Sequence, residues 1–144
     1  MNCTITWGGP NGPSGMAFHA ATGSGHLVNM DGAPEGGGKN LAARPMEMLL
    51  VGAGGCTAYD VVLILQRGRH AVLGCAVDVQ AERAAEDPKV FTKIHLHFRL
   101  TGRGLAASAV ERAIALSHEK YCSATIMLSA TAAVTTSFEI AEAA

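Results

Sequence analysis

Residues 45–70 read PMEMLLVGAGGCTAYDVVLILQRGRH, and this stretch decides the fold. Proline suits the first turn of a helix, where its missing N–H costs nothing, so Pro45 opens one. Glu47 falls in that first turn, beside the positive end of the helix dipole. Over residues 46–65 the only charged side chains are Glu47 and Asp60. Leu49, Leu50, Val51, Ala53, Val61, Val62, Leu63 and Ile64 cover every face, and a helix apolar all round is expected to be buried all round. Gly52, Gly54 and Gly55 each weaken a helix by ~1 kcal/mol relative to alanine. Their presence predicts a second backbone lying against it. Arg67, Arg69 and His70 close the segment with positive charge at the negative end of the dipole.

Working outward, the flanking segments read as strands. In residues 75–83, Cys75, Val77, Val79 and Ala81 alternate with Asp78, Gln80 and Glu82. In residues 90–101, Val90, Thr92, Ile94, Leu96, Phe98 and Leu100 alternate with Lys93, His95, His97 and Arg99. A period of two predicts half-buried antiparallel strands with one wet face. Upstream, residues 4–7 read as a strand, 8–13 as a turn, and 16–21 with 26–30 as a hairpin closed through 22–25. Residues 32–40, with three consecutive glycines, read as a mobile loop. Downstream, a helix is expected over residues 105–120, with Val110, Ala113, Ile114 and Ser117 on its inner stripe. Tyr121-Cys122-Ser123 breaks it, a short helix follows over 123–131, and Val134, Thr136, Phe138 and Ile140 mark a last strand. The order predicts an α+β fold in a single domain, residues 1–144.

Composition narrows the function classes. The 144 residues are 49% hydrophobic and 16% charged, which excludes a disordered chain. With 11 basic against 12 acidic residues there is no basic footprint for nucleic acid. No uncharged apolar run reaches the ~18 residues of a membrane span. Met1-Asn2-Cys3-Thr4 does not begin a signal peptide. A cytoplasmic protein is expected, with no membrane partner and no nucleic-acid partner. Its four cysteines are then thiols by default, and any disulfide is transient.

Several motifs fail. Gly38-Lys39 lacks the first glycine and the Ser/Thr of a phosphate loop. No two cysteines have C-x-x-C spacing, and no G-x-S-x-G elbow is present. His95 and His97 share a strand face, but Lys93 and Arg99 on that face would repel a cation, so the reading is a wet face. Neither a metal nor another cofactor is expected. Cys56 stands inside the apolar helix, after Gly54-Gly55. Cys122 stands at the helix break, where the positive end of the short helix can stabilise a thiolate. From spacing alone the alternative stays open that both fill space, since free cysteine is among the most buried residue types. Cys3 and Cys75 lie in strands and read as core.

At these cysteines the sequence resembles a known family. PMEMLLVGAGGCTAYDVV (residues 45–62) followed by EKYCSATIML (119–128) resembles the OsmC family of osmotically inducible and organic hydroperoxide resistance proteins. Its YhfA-like branch is the nearer likeness, through SGHLVNMDG (24–32), RPMEMLLVGAGGC (44–56), FTKIHLHFRLTGR (91–103) and EKYCS (119–123). The likeness runs over residues 4–140. It implies curved antiparallel sheets wrapped around central helices in an interlocked homodimer. It also implies a thiol-dependent reduction of organic hydroperoxides. The thiolate of Cys56 would attack the distal peroxide oxygen and become a sulfenic acid, and Cys122 would condense with it to a disulfide. A dithiol, lipoyl-type reductant would restore both thiols.

Two departures from the family pattern stand out. The hydroperoxide reductases set an arginine from the N-terminal strands, and a glutamate ten positions upstream, beside the reactive cysteine. Here no arginine precedes Arg44, and Met46 stands ten positions before Cys56, with Glu47 nine before. One residue turns a side chain about 100° around a helix. Arg44 and Glu47 are the candidate substitutes, with a role at the helix start as the alternative. The competing functional reading is a non-catalytic or differently catalytic relative that binds a small apolar ligand at the dimer interface.

Overall fold

The computed structural model describes residues 1–8 and 15–144, and the chain falls into two units, Met1–Leu50 and Val51–Ala144. In the first unit, strands β1 (Cys3–Trp7), β2 (Phe18–Thr22) and β3 (Leu27–Met30) form an antiparallel meander with β2 in the middle. The β2–β3 hairpin closes where Gly25 takes φ 84, a conformation glycine adopts without penalty. The turn expected over residues 8–13 lies, apart from Gly8, outside the described residues.

The expectation of a mobile loop over residues 32–40 needs correction. Asp31 is a buried carboxylate that organises this segment. It accepts the Gly32 N–H on Oδ1 at 2.7 Å, and the Lys39 and Leu41 N–H groups on Oδ2 at 3.1 and 3.0 Å. A short 3-10 turn, Pro34–Gly36, lies between these anchors. At Gly38 a Cβ would collide with the Gly32 backbone, so the central glycines serve close approach. The Leu41 N–H above all, against the effect of burial and with help from Gly32 and Lys39, holds the Asp31 carboxyl below the ordinary carboxylate range.

Helix α1 spans Pro45–Arg67, as the sequence predicts, and its residues from Val51 onward belong to the second unit. It ends in a Schellman turn, with Arg69 at φ 61 and the His70 N–H on the Leu65 carbonyl at 3.0 Å. Its buried residues are Ala53, Gly54, Thr57, Val61 and Leu65, a single stripe. Burial all round, as expected from its composition, is therefore not what one chain achieves. Val51 is 60% and Tyr59 69% exposed, because a sheet covers one side of a helix and no more. By length and composition alone α1 also passes as a membrane span, at mean hydropathy 1.9, although its uncharged run is short. The second backbone expected against the glycines is not found among the described residues. A Cβ on Gly54 would meet a methyl of Val79 at 3.0 Å, so the close neighbour is a strand side chain. Gly52 and Gly55 face open space.

The second sheet has the order β4-β5-β6, from β4 (Ala71–Arg83), β5 (Phe91–Arg103) and β6 (Ala133–Glu142). The inward side chains of β5, namely Ile94, Leu96, Phe98 and Leu100, are fully buried, as their alternation predicts. β4 pairs with β5 antiparallel, whereas β6 pairs with β5 in parallel, from Lys93↔Ala133 to Gly102↔Glu142. This corrects the expectation of wholly antiparallel sheets. A parallel neighbour needs a crossover, and α2 (Ala107–Leu116) with α3 (Ser123–Leu128) supplies it. The single helix expected over residues 105–120 ends at Leu116 and gives way to a π-helical turn, Ser117–Tyr121. Val110, Ala113, Ile114 and Ser117 are buried as predicted.

The Asp31 cradle yields a pH-dependent prediction. A carboxyl whose folded pKa is depressed stabilises the fold above about pH 4, and this contribution is lost as pH falls through the folded value. Amide-exchange protection of Lys39 and Leu41, corrected for intrinsic exchange, should decline as the pH falls below that range. In Asp31→Asn one carbonyl oxygen replaces two, so either the Gly32 N–H or the Lys39 and Leu41 N–H groups lose their acceptor, and the summed protection of the three should already be lower at pH 7.

Candidate active site

Cys56 and Asp60 are four residues apart on α1 and therefore share a helix face. Cys122 arrives from the other side of the sequence. The π-helical turn ends with the Cys122 N–H on the Ser117 carbonyl at 2.8 Å, and Cys122 takes the N-cap position of α3 with φ −75 and ψ 93. There its Sγ receives the Thr125 N–H at 3.4 Å, a sulfur in the place usually held by a hydroxyl or carboxylate oxygen. The outcome is a cluster in which Cys56 Sγ, Cys122 Sγ and a carboxylate oxygen of Asp60 all lie within 4.8 Å of one another. Both cysteines are free, Cys122 fully buried and Cys56 half-buried.

The carboxylate is oriented by a directional chain. Ser117 Oγ donates its single proton to Asp60 Oδ2 at 3.1 Å, so the 2.9 Å bond between Ser117 and Thr57 is donated by the threonine hydroxyl. Ser117 and Thr57 are both buried. Burial pushes the Cys122 thiol up. The Thr125 hydroxyl and N–H oppose this, and the neighbouring Cys56 adds to it. Cys122 is thus held as a thiol beside Cys56. Sequence reading missed Asp60, Ser117, Thr57 and Thr125. The signal available was Asp60 itself, a lone acid in the middle of an apolar helix, one turn after a cysteine.

Of the residues singled out from sequence, the fold brings Cys56 and Cys122 together. Arg44 and Glu47 lie in the first unit, both exposed, and are joined to each other. The Arg44 N–H donates to Glu47 Oε2 at 2.9 Å, the glutamate half of a capping box at the start of α1. Cys3 is exposed on β1. Cys75 is half-buried on β4, and its burial pushes the thiol up. His95 and His97 are tied to hydroxyls. Ser137 Oγ lies 2.8 Å from His95 Nε2 and 2.8 Å from His97 Nδ1, and Thr135 holds the other nitrogen of His95. Lys93 and Arg99 are engaged with Glu82 and Asp78. A cavity of about 560 Å³, lined by Ile64, Leu65, His70, Ala109, Arg112 and Leu116, includes none of the cluster residues.

This architecture has recognisable relatives. The family model of OsmC-like proteins matches residues 36–137. The chain belongs to the OsmC family, whose α+β fold combines two sheets with helices. It is 49% identical over 143 residues to Protein YhfA of Escherichia coli strain K12, covering 99% of this chain and 100% of that protein. A hypothetical protein of Aquifex aeolicus VF5 superposes with a TM-score of 0.82 at 26% identity, over 99% of this chain and 97% of that one. An organic hydroperoxide resistance protein OsmC of Legionella pneumophila shares the fold, with a TM-score of 0.69 at 19% identity, over 96% and 97% of the two chains.

Two measurements probe the cluster. Ser117→Ala leaves the Thr57 hydroxyl buried without its acceptor, and should cost about 1–3 kcal/mol in denaturant unfolding. Adding Thr57→Val should recover part of that loss, a coupling that a double-mutant cycle resolves. A thiol with a raised pKa forms its thiolate above the ordinary range near ~8.5. The alkylation rate of Cys122, followed by mass spectrometry, should therefore still be climbing above the pH at which a cysteine in a short peptide has levelled off.

Proposed function

We propose that the protein is a thiol-dependent peroxidase that reduces organic hydroperoxides through Cys56 and Cys122. The observation that carries this reading is the meeting of the two sulfurs and the Asp60 carboxylate within 4.8 Å. Family membership supports it. The Legionella relative is named for organic hydroperoxide resistance, but at 19% identity it lends the fold alone.

In this reading the Cys56 thiolate attacks the distal oxygen of the hydroperoxide. The O–O bond breaks, the alcohol departs with a proton, and Cys56 is left as a sulfenic acid. The Cys122 sulfur then attacks the Cys56 sulfur, water leaves, and a disulfide forms. A dithiol of the lipoyl type reduces the disulfide and is itself oxidised. Cys122 suits the second step by position, buried and adjacent to Cys56; its raised pKa means that it must first give up its proton, which leaves with the Cys56 hydroxyl as water. Arg44 and Glu47 stay in the proposal as the charged pair at the start of α1. Arg44→Gln removes the guanidinium but keeps the backbone bond to Glu47. A fall in rate at an unchanged melting temperature would assign Arg44 to thiol activation.

The working unit of the proposal is a homodimer. Val51, Tyr59, Ile126 and Met127 are exposed on helices whose other faces are covered, and a second copy is the partner that would bury them. Melting temperature should accordingly rise with protein concentration.

The decisive experiment is steady-state turnover of an alkyl hydroperoxide with a dithiol. Cys56→Ser should bring consumption to background. Cys122→Ser should allow one turnover and then accumulate sulfinic acid at Cys56, because no resolving thiol remains. Cys3→Ser and Cys75→Ser should keep nearly full activity. Tight binding of an apolar ligand with no turnover in the wild type would favour the non-catalytic alternative.

A further inference from the structure

We propose that the reduced protein binds a thiophilic divalent cation, of which Zn²⁺ is the type, through Cys56 Sγ, Cys122 Sγ and an Asp60 carboxylate oxygen. The donor set is two sulfurs and one oxygen, the mixture that tetrahedral zinc accepts in sites with three protein ligands and a fourth position open to water. Such bonds put the donors roughly 3.5–3.8 Å apart. The three atoms here lie within 4.8 Å of one another, so the donors have to close by about 1 Å to reach an ion.

Three further features fit a cation. Cys56 and Asp60 present their donors from one face of a single helix, at the i, i+4 spacing that lets two ligands meet one ion. The outer shell is already in place. Ser117 holds Asp60 Oδ2, Thr57 holds Ser117, and the Thr125 N–H holds the Cys122 sulfur, which are the hydrogen bonds that orient metal ligands. Access is available as well, since Cys56 and Asp60 are only half-buried, while Cys122 is fully buried. Among the described residues this is the one group of three metal-type donors gathered at such distances. The two histidines that first invite a metal reading are instead committed to hydroxyls on the sheet.

The ion would occupy both sulfurs at once, so metal binding and disulfide formation exclude each other. The inference needs the thiols and the carboxylate but not turnover, and its test reads no activity. The experiment titrates the reduced, metal-free full chain with Co²⁺. Thiolate-to-cobalt charge transfer and the visible bands of tetrahedral cobalt should saturate at one ion per chain, and Zn²⁺ should bleach them. Under saturating Zn²⁺, alkylation followed by mass spectrometry should find Cys56 and Cys122 protected and Cys3 and Cys75 not. Asp60→Asn can still accept the Ser117 bond, so it should fold, and losing a direct ligand should weaken cobalt binding by at least the roughly tenfold that loss of an outer-shell partner costs. Prior oxidation with diamide should abolish binding. The proposal is overturned if the reduced chain gives no charge-transfer band, if the band survives Cys122→Ser, if Asp60→Asn binds as tightly as wild type, or if protection falls on Cys3 or Cys75.

Discussion

The hydrogen bond from Ser117 to Asp60 is the interaction on which the geometry of the cluster turns. Asp60 is the one acidic side chain in the body of α1, a helix otherwise apolar after its first turn. A carboxylate there needs protein donors, because a group without them bears its full desolvation penalty. Ser117 supplies the donor from the far end of α2, and the bond fixes where that end sits along α1. Five residues later the chain places Cys122, with its N–H returned to the Ser117 carbonyl. The same residue thus orients the carboxylate through its side chain and the second cysteine through its backbone.

The π-helical turn is what allows one residue to do both. An α-helix continued past Leu116 would carry Cys122 on around the cylinder. The wider turn over Ser117–Tyr121 adds a residue to the coil and delivers Cys122 with extended backbone, ready to cap α3. Insertions of this kind recur at functional positions, since they displace a side chain without ending the helix pair. The crossover containing them exists because β6 must run parallel to β5. Sheet topology, helix irregularity and cysteine placement are therefore one chain of consequences.

How much of this was legible follows from the range of each signal. Local periodicity carried the bounds of α1 and the inward faces of β4 and β5, because alternation and capping residues act within a few positions. Strand direction is not local. Val134, Thr136, Phe138 and Ile140 alternate identically whether the neighbour runs parallel or antiparallel, and the crossover has to be seen to decide. The 32–40 loop looked mobile because glycines dominate its composition, whereas its order comes from one buried carboxylate, Asp31, which gathers three N–H groups. The two cysteines stood out through motif resemblance, while Asp60, four positions after one of them, did not. A single acid in an apolar stretch is conspicuous, but what it faces depends on a segment 57 positions away.

The same distance argument bears on the division of labour between the sulfurs. Cys122 is enclosed, capped by the Thr125 N–H and kept protonated by its burial. Cys56 stands half-open on the helix that carries the carboxylate. In the proposed reaction a small electrophile arriving from solvent would meet Cys56 first, and an oxidised Cys56 would then offer its sulfur to a thiol already in place. A thiophilic cation meets the same arrangement differently. It engages both sulfurs together and draws on Asp60 as well. In the proposed chemistry, then, exposure sets the order of reaction with peroxide, while the fixed spacing of the three donors sets the fit to an ion. The hydrogen-bonded frame from Thr57 through Ser117 to Asp60 serves both, because it holds that spacing in a chain whose helix is only partly covered.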